Sequence, residues 1–135
     1  MMVGRAVKFE IEKKPPKFGD VKLRIENINI KNSRGQLVVR NLSLEVRSGE
    51  ILGIAGVDGN GQTELLYGIT GLLPLESGRI FLNGKDISKM SIRDRIEAGL
   101  GHIPEDRHKH GLVADFTVAE NVALKNYYLA PYTKN

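Results

Sequence analysis

The sequence predicts an α/β fold with an antiparallel β part, and three patterns lead to that expectation. Two runs near the start alternate apolar and polar residues, as half-buried strands do. A short apolar run, ILGIAG at residues 51–56, leads into a glycine-rich loop. An amphipathic run follows that loop and has the spacing of a helix. A strand, a loop and a helix in this order are typical of α/β domains.

The antiparallel part is expected from residue 21 onward. VKLRIENINI (21–30) and LVVRNLSLEV (37–46) alternate in polarity and are separated by the turn sequence NSRGQ, so we expect a hairpin. SGRIFLNGKDIS (77–88) predicts two short strands, because an Asn-Gly dipeptide lies between strand-like runs. Residues 51–56 and LGHIP (100–104) are mostly apolar and are predicted to be strands, the first buried on both faces.

Helix boundaries are indicated by capping residues. The first helix is expected to open near Gly61 and to run to about Leu73, where Pro74 stops it. A second helix is expected in SIRDRIEAGL (91–100), with serine as its N-cap and glycine at its end. A third opens in TVAENVAL (117–124), where Thr-x-x-Glu has the spacing of a capping box.

Composition sets broad limits on the function. The chain has 135 residues, no cysteine and a net charge of +4. Disulfides and thiolate metal sites are therefore excluded, and no apolar run is long enough for a membrane-spanning helix. Residues 1–20 are expected to be a linker, since they contain KKPPKFGD, although VKFEIE (7–12) has the pattern of an edge strand. The chain is mildly basic, but it lacks the interleaved aromatic residues of proteins that bind single-stranded nucleic acid, so no nucleic-acid partner is expected.

The glycine-rich loop has the spacing of a phosphate-binding loop. The pattern G-x-x-x-x-G-K-[ST] is met by Gly56, Gly61 and Thr63, with Gln62 in the place of the lysine. Backbone N–H groups and the helix N-terminus, with roughly half a positive elementary charge, attract phosphate, and Thr63 offers a hydroxyl to Mg²⁺. Because the lysine charge acts on the β- and γ-phosphates, its absence predicts weak nucleotide binding and little or no hydrolysis. A glycine-rich turn without any ligand is the alternative.

Longer stretches carry a family resemblance. LSLEVRSGEILGIAGVDGNGQTELLYGITGLLPLESGRIFLNGKDIS (42–88) and GLGHIPEDRHKHGLV (99–113) resemble the ATPase domain of ABC transporters. AGVDGNGQTEL (55–65) and HIPEDR (102–107) are similar to the second, degenerate ATPase half of tandem subunits. Such subunits energise importers of simple sugars or nucleosides. The resemblance implies ATP and Mg²⁺ as cofactors.

The resemblance also assigns positions in the site. Metal contacts fall on Thr63 and Glu105, and no catalytic residue is assigned. The aromatic residue that stacks on adenine in the family falls near Asn32, which is not aromatic. We expect the side chain of Asp58 to point away from the phosphates. The nucleotide-binding positions are Gly56, Asp58, Gly59, Asn60, Gly61, Gln62, Thr63 and Glu64.

Other family segments are missing from the sequence. The LSGGQ-like signature, the strand with the catalytic glutamate and the switch histidine do not occur. We therefore expect a truncated P-loop NTPase (ABC ATPase) core with an antiparallel β subdomain. Residues 21–135 would form a partial nucleotide-binding domain. Unpaired strand edges in such a piece recruit other chains, so self-association is expected.

The functional expectation is the ATP-binding portion of an ABC importer. Its expected partners are transmembrane permease subunits and a partner ATPase domain, at the cytoplasmic face of the membrane. A structural or interaction module that binds no nucleotide is the alternative. A P-loop kinase would keep the lysine, and a GTPase would show N-K-x-D, which is absent. Two histidines in DRHKHG (106–111) have no third ligand nearby, so a solvated loop is favoured over a metal site.

Overall fold

The computed structural model describes residues 15–133. The expected linker lies largely outside this range, as does the possible edge strand at residues 7–12, and residues 15–20 are irregular and exposed. Two compact units divide the chain, Met1–Leu100 and Gly101–Asn135. The elements of the first unit are β1 (Val21–Lys31), β2 (Leu37–Arg47), α1 (Gln62–Thr70), β3 (Ser77–Leu82), β4 (Lys85–Asp86) and α2 (Ile92–Glu97).

The four strands form one antiparallel sheet in the order β2-β1-β3-β4, which confirms both predicted hairpins. In this register Ile25 of β1 pairs with Leu44 on one side and Ile80 on the other. One face of the sheet packs on α1, as the alternation of polarity requires. The buried core comprises Ile25, Ile28, Ile30, Val39, Leu65, Ile69, Ile80, Leu82 and Ile87.

A bulge in β1 comes very close to β3. Asn27 has a left-handed φ of 49°, and the register shifts between Glu26 and Asn29. Opposite this bulge, Gly78 has φ 91°, and a Cβ there would lie 2.5 Å from the Asn27 carbonyl oxygen and 2.6 Å from the Ile28 Cα. Only glycine fits this position, because both the backbone conformation and the space exclude a side chain.

The turn between β3 and β4 has the predicted Asn-Gly conformation. Asn83 and Gly84 have φ values of 50° and 79°, as a two-residue hairpin requires. The backbone N–H of Asn83 donates to the Lys22 carbonyl at 2.8 Å. The dipeptide therefore connects the short second hairpin and is anchored to β1.

Helix α1 begins after Gly61, as predicted, and ends earlier than predicted. Its last residue is Thr70, since Gly71 adopts a left-handed φ of 87°. Glycine in this conformation stops a helix at once, so Pro74 is not the terminator. The N–H of Leu73 then donates to the Tyr67 carbonyl at 3.1 Å, which satisfies one of the last carbonyls of the helix.

The C-terminal carbonyls of α1 are capped by a buried arginine on α2. Arg95 is only 3% exposed, and its Nη1 donates to the carbonyls of Gly68 and Ile69 at 2.8 and 2.7 Å. Its Nη2 and Nε donate to Ser88 and Met90 carbonyls at 2.9 and 3.1 Å. Burial lowers the pKa of the guanidinium, which remains a cation at neutral pH. This role of Arg95 was not predicted from the sequence.

Helix α2 itself has the predicted cap. The Ser91 hydroxyl accepts from the Asp94 N–H at 3.2 Å, and the Asp94 carboxylate accepts from the Ser91 N–H at 3.3 Å. This reciprocal pair is a capping box. Gly99, with φ 100°, follows the helix as predicted.

Two predicted strands are wrong. Residues 51–56 form no strand, and Ile51 is 96% exposed rather than buried. Residues 100–104 also form no strand, and Ile103 is 93% exposed. A strand exists only when a neighbour accepts and donates its backbone hydrogen bonds, and neither run has such a neighbour among the described residues.

The second unit, Gly101–Asn135, contains two short helical elements. The segment predicted as a charged loop forms a π-helical turn, Arg107–Gly111, in which the Asp106 carboxylate accepts from two N–H groups at 2.9 and 3.0 Å. Helix α3 (Val118–Ala123) follows and has the predicted capping box with Thr117 as N-cap. Among residues 15–133, no helix is long and apolar enough to span a membrane.

Candidate nucleotide-binding site

The candidate loop, residues 56–64, is held against the edge strand β2. Gly61 has φ 95°, and a Cβ there would lie 3.0 Å from the Val38 carbonyl oxygen and 3.4 Å from the Val39 side chain. A residue with a side chain would push the loop away from the strand. Gly61 thus sets both the start of α1 and the distance between loop and sheet.

The N-terminus of α1 presents backbone donors without acceptors. Among the described residues, nothing accepts a hydrogen bond from the N–H groups of Gly61, Gln62, Thr63 or Glu64, and no side chain caps the helix. The Leu65 N–H is the first in the helix that makes a hydrogen bond, and it donates to the Gly61 carbonyl at 2.8 Å. Four adjacent free donors at the positive end of a helix dipole favour an anion at this place.

The side chain in the lysine position is hydrogen-bonded to the loop itself. Gln62 Nε2 donates to the Val57 carbonyl at 3.1 Å. In this position it lies over Gly56, where an added Cβ would overlap Gln62 Nε2 and approach its Cδ to 2.9 Å. The absence of a Cβ at Gly56 therefore leaves room for the glutamine side chain in this position. The amide is neutral, so the loop gains no positive charge from this side chain.

The other predicted positions of the loop are exposed. Asp58, Gly59 and Asn60 form its tip, where the Asn60 N–H donates to the Val57 carbonyl at 3.2 Å. Thr63 is also exposed, and its hydroxyl has no partner among the described residues. Glu64 is half-buried in the first turn of α1. Residues 56–61 thus lie in the loop, and residues 62–64 form the first turn of α1.

Glu105, the other predicted metal contact, lies in the second unit. It is exposed and precedes the π-helical turn, which carries His108 and His110. Among the described residues, no group of three or more His, Asp and Glu side chains is arranged to hold a metal ion.

An open cleft of about 290 Å³ lies between the loop and β2. Its walls combine loop residues such as Asn60 and Gln62 with apolar side chains of Val38 and Leu42. Arg40 also lines it, with its Nε donating to the Leu37 carbonyl at 3.1 Å. These β2 positions were not predicted from the sequence. The signal in the sequence that could have indicated them is Gly61, since glycine is used where the backbone must come close to a neighbouring group.

Comparison with known proteins identifies the family of the chain. The sequence profile described as ABC transporter matches residues 39–134. The guanosine import ATP-binding protein NupO of Bacillus subtilis is 53% identical over 98% of this chain, and this region is 26% of NupO. The nucleoside import ATP-binding protein NupA of Lactococcus lactis is 54% identical over 99% of this chain, again 26% of that protein. The ribose import ATP-binding protein RbsA of Clostridium tetani is 42% identical over 93%, or 24% of its length.

A solved structure shows the same fold. The protein cbiO1 of Clostridium perfringens, described as part of the ABC transporter complex cbiONQ, matches 59% of this chain and 32% of its own with a TM-score of 0.53 and 28% identity. The chain spans about a quarter of the length of the curated relatives above. The profile match, these identities and the shared ATPase fold together show that the chain belongs to the ABC transporter family.

Proposed function

We propose that residues 56–64 bind the phosphates of Mg·ATP, as the ATP-binding portion of an importer for a nucleoside or a simple sugar. The N–H donors of Gly61 to Glu64, which have no acceptor within residues 15–133, are the observation that carries the proposal. The donor set fits a phosphate, and the exposed Thr63 hydroxyl is of a type that binds Mg²⁺. The names of the nucleoside and ribose import relatives support the class of importer.

We infer that hydrolysis by this loop is slight. A neutral glutamine at position 62 leaves the charge that develops on the β- and γ-phosphates without a fixed cation. Losing one preorganised donor to such a charge typically lowers the rate by ~10²–10³. Binding weakens less than catalysis, because the backbone donors and Mg²⁺ still act on the ground state. Glu105 is proposed as an additional metal contact by its family position.

Calorimetric titration with Mg·ATP tests the proposal on this chain and on Gln62→Lys. We expect saturable binding that tightens by about fivefold or more in the variant, since one charge near the phosphates contributes at least ~1 kcal/mol. Ser48→Lys is the charge-matched control. It adds the same charge at an exposed turn that follows the last residue of β2. Val38, which contacts the loop, lies near the first residue of β2, so Ser48 is about 30 Å from Val38 along the strand. The control should leave the affinity unchanged.

Absence of binding heat in both Gln62→Lys and the parent chain, with normal circular dichroism, contradicts the proposal. An interaction module without a nucleotide is then the better interpretation. One observation already favours that second candidate: the Gln62 side chain is bonded to the Val57 carbonyl and lies across the loop. Equal tightening in Ser48→Lys would show a general charge effect rather than a phosphate site.

The proposed partners follow from the same family. They are transmembrane permease subunits and a second ATPase domain, with the subunit at the cytoplasmic face of the membrane and this chain in its second ATPase half. The import relatives and the cbiONQ complex of cbiO1 support this assignment. We also propose that the chain self-associates through residues 51–57, whose Ile51 and Val57 are 96% and 74% exposed. A monomer in light scattering at high concentration would contradict this.

A further inference from the structure

The chain contains two Asn-Gly dipeptides, and one of them lies within the phosphate loop. They are Asn60–Gly61 and Asn83–Gly84. Asparagine before glycine is the pair most prone to spontaneous deamidation, since a glycine without Cβ leaves its backbone nitrogen open to approach the preceding side chain. The two sites differ in how firmly the structure holds them, so their reactivity should differ.

At the loop site, neither reacting group is tied by a hydrogen bond. Among the described residues, the Asn60 side-chain amide has no partner, and the Gly61 N–H has no acceptor. Asn60 is exposed, and its φ lies outside the left-handed region. Among the described residues, its backbone makes one hydrogen bond, in which its N–H donates to the Val57 carbonyl at 3.2 Å. The side chain can therefore turn toward the Gly61 nitrogen without breaking any hydrogen bond of the native structure.

At the hairpin site, the backbone is fixed. Asn83 is held in the left-handed region at φ 50°, and its N–H donates to the Lys22 carbonyl at 2.8 Å. The flanking residues Leu82 and Lys85 are paired across the turn. Closing a ring between the Asn83 side chain and the Gly84 nitrogen would require this turn to open first, which costs the pairing of β3 with β4.

We propose that Asn60 is a spontaneous deamidation site and that its reaction switches off the phosphate loop. The Gly61 nitrogen loses its proton to hydroxide and bonds to Asn60 Cγ. The Cγ–Nδ2 bond breaks, and ammonia leaves with a proton from solvent. Water then adds to one carbonyl of the resulting succinimide and opens the ring to aspartate or isoaspartate. No oxidation or reduction takes place.

Both products disturb an anion site. Aspartate places a negative charge beside the free N–H groups of residues 61–64, and isoaspartate also adds one carbon to the backbone immediately before Gly61. This consequence rests on the proposed function, whereas the chemical step does not. In an Asn60→Asp variant we expect the affinity for Mg·ATP to fall by about tenfold or more, because like charges a few ångströms apart repel.

Peptide mapping by mass spectrometry tests the chemical step. The chain is incubated at mildly alkaline pH, and conversion is followed at both sites, with Asn83 as the internal reference. In the native chain we expect Asn60 to convert clearly faster than Asn83, and in urea the two rates should converge. In Asn60→Gln only the reference site should convert, since a glutamine would have to form a larger ring. The proposal is overturned if native Asn60 keeps its amide, or reacts no faster than Asn83, while both react in urea.

A parallel incubation with saturating Mg·ATP separates this inference from the proposed function. Bound phosphates would occupy the Gly61 N–H and slow conversion at Asn60 without affecting Asn83. Slowing confined to Asn60 supports both proposals. Conversion of Asn60 at the same rate with and without Mg·ATP overturns phosphate binding by this N–H and leaves the modification established.

Discussion

Removing the guanidinium of Arg95 should destabilise the first unit more than any surface substitution. Arg95→Met keeps a long apolar side chain but deletes the donors to four carbonyls. Those of Gly68 and Ile69 are buried, and each buried carbonyl left without a partner costs about 1–3 kcal/mol. The other two carbonyls are partly buried and can bind water. Relief of the guanidinium's own desolvation offsets part of the loss, so we expect about 3 kcal/mol of lost unfolding free energy.

Urea unfolding followed by far-UV circular dichroism measures this loss. With a denaturant dependence of about 1.5 kcal/mol per molar, the midpoint should fall by about 2 M. Arg34→Met, at an exposed turn, removes the same group and should stay within about 0.5 kcal/mol of the parent chain. Arg95→Lys should recover only part of the loss, because its donors share one nitrogen and cannot span carbonyls on both α1 and the segment before α2.

Hydrogen exchange shows which element loses stability in Arg95→Met. Arg95 caps the end of α1, so the α1 peptide should lose protection in Arg95→Met. This role of Arg95 is refuted if Arg95→Met and Arg34→Met unfold at the same urea concentration. It is also refuted if the midpoint falls while protection of α1 stays unchanged, because the carbonyls of α1 would then not be the origin of the loss.

Two further predictions concern the sheet. Gly84→Ala should lower the free energy of unfolding by about 1–2 kcal/mol through its left-handed φ alone, because a Cβ there has open space. Gly78→Ala should lower it by about 1–3 kcal/mol more, since its Cβ would meet the Asn27 backbone. Equal urea midpoints for the two variants would show that β1 moves at the bulge to make room. The Ser88 hydroxyl and N–H donate to Asp86 at 2.6 and 2.9 Å and hold the pKa of its carboxyl below its usual value. This stabilisation is full above the unfolded-state pKa and is lost as pH falls through the folded-state pKa. Asp86→Asn should therefore be modestly less stable than the parent at neutral pH and equally stable in strong acid, and a pH-independent difference in urea midpoints would contradict the assignment.

The sequence was sufficient where structure depends on neighbouring residues. The Asn83–Gly84 turn, the Ser91 and Thr117 caps and the start of α1 after Gly61 all form as predicted. Each is determined within a few residues, by side chains that cap N–H groups or by glycine's access to positive φ. The positions of the candidate site in residues 56–64 were predicted from the same kind of local pattern, and their role in binding stays a prediction.

The failures concern relations between distant segments. Residues 51–56 have the composition of a strand, but a strand also needs neighbours, and the apolar pattern does not state where those lie. In the sequence, Arg95 is one of several charged residues on a short helix and has the pattern of an exposed side chain. Only the tertiary fold brings it against the end of α1. The cleft beside Arg40 likewise depends on how closely β2 approaches the loop, which is a property of the folded backbone.

The two sides of the phosphate loop are anchored very differently. After Gly61 the chain continues into a helix packed on the sheet, whereas no N–H of residues 51–57 donates a hydrogen bond to any described residue. A ligand that fixed this leading segment would reduce its conformational entropy, at about 1–2 kcal/mol for each residue ordered. This ordering cost would make the observed free energy of binding less favourable. The same loop should therefore bind nucleotide more tightly, with a smaller entropic penalty in calorimetry, wherever adjacent strands hold residues 51–57 in place beforehand.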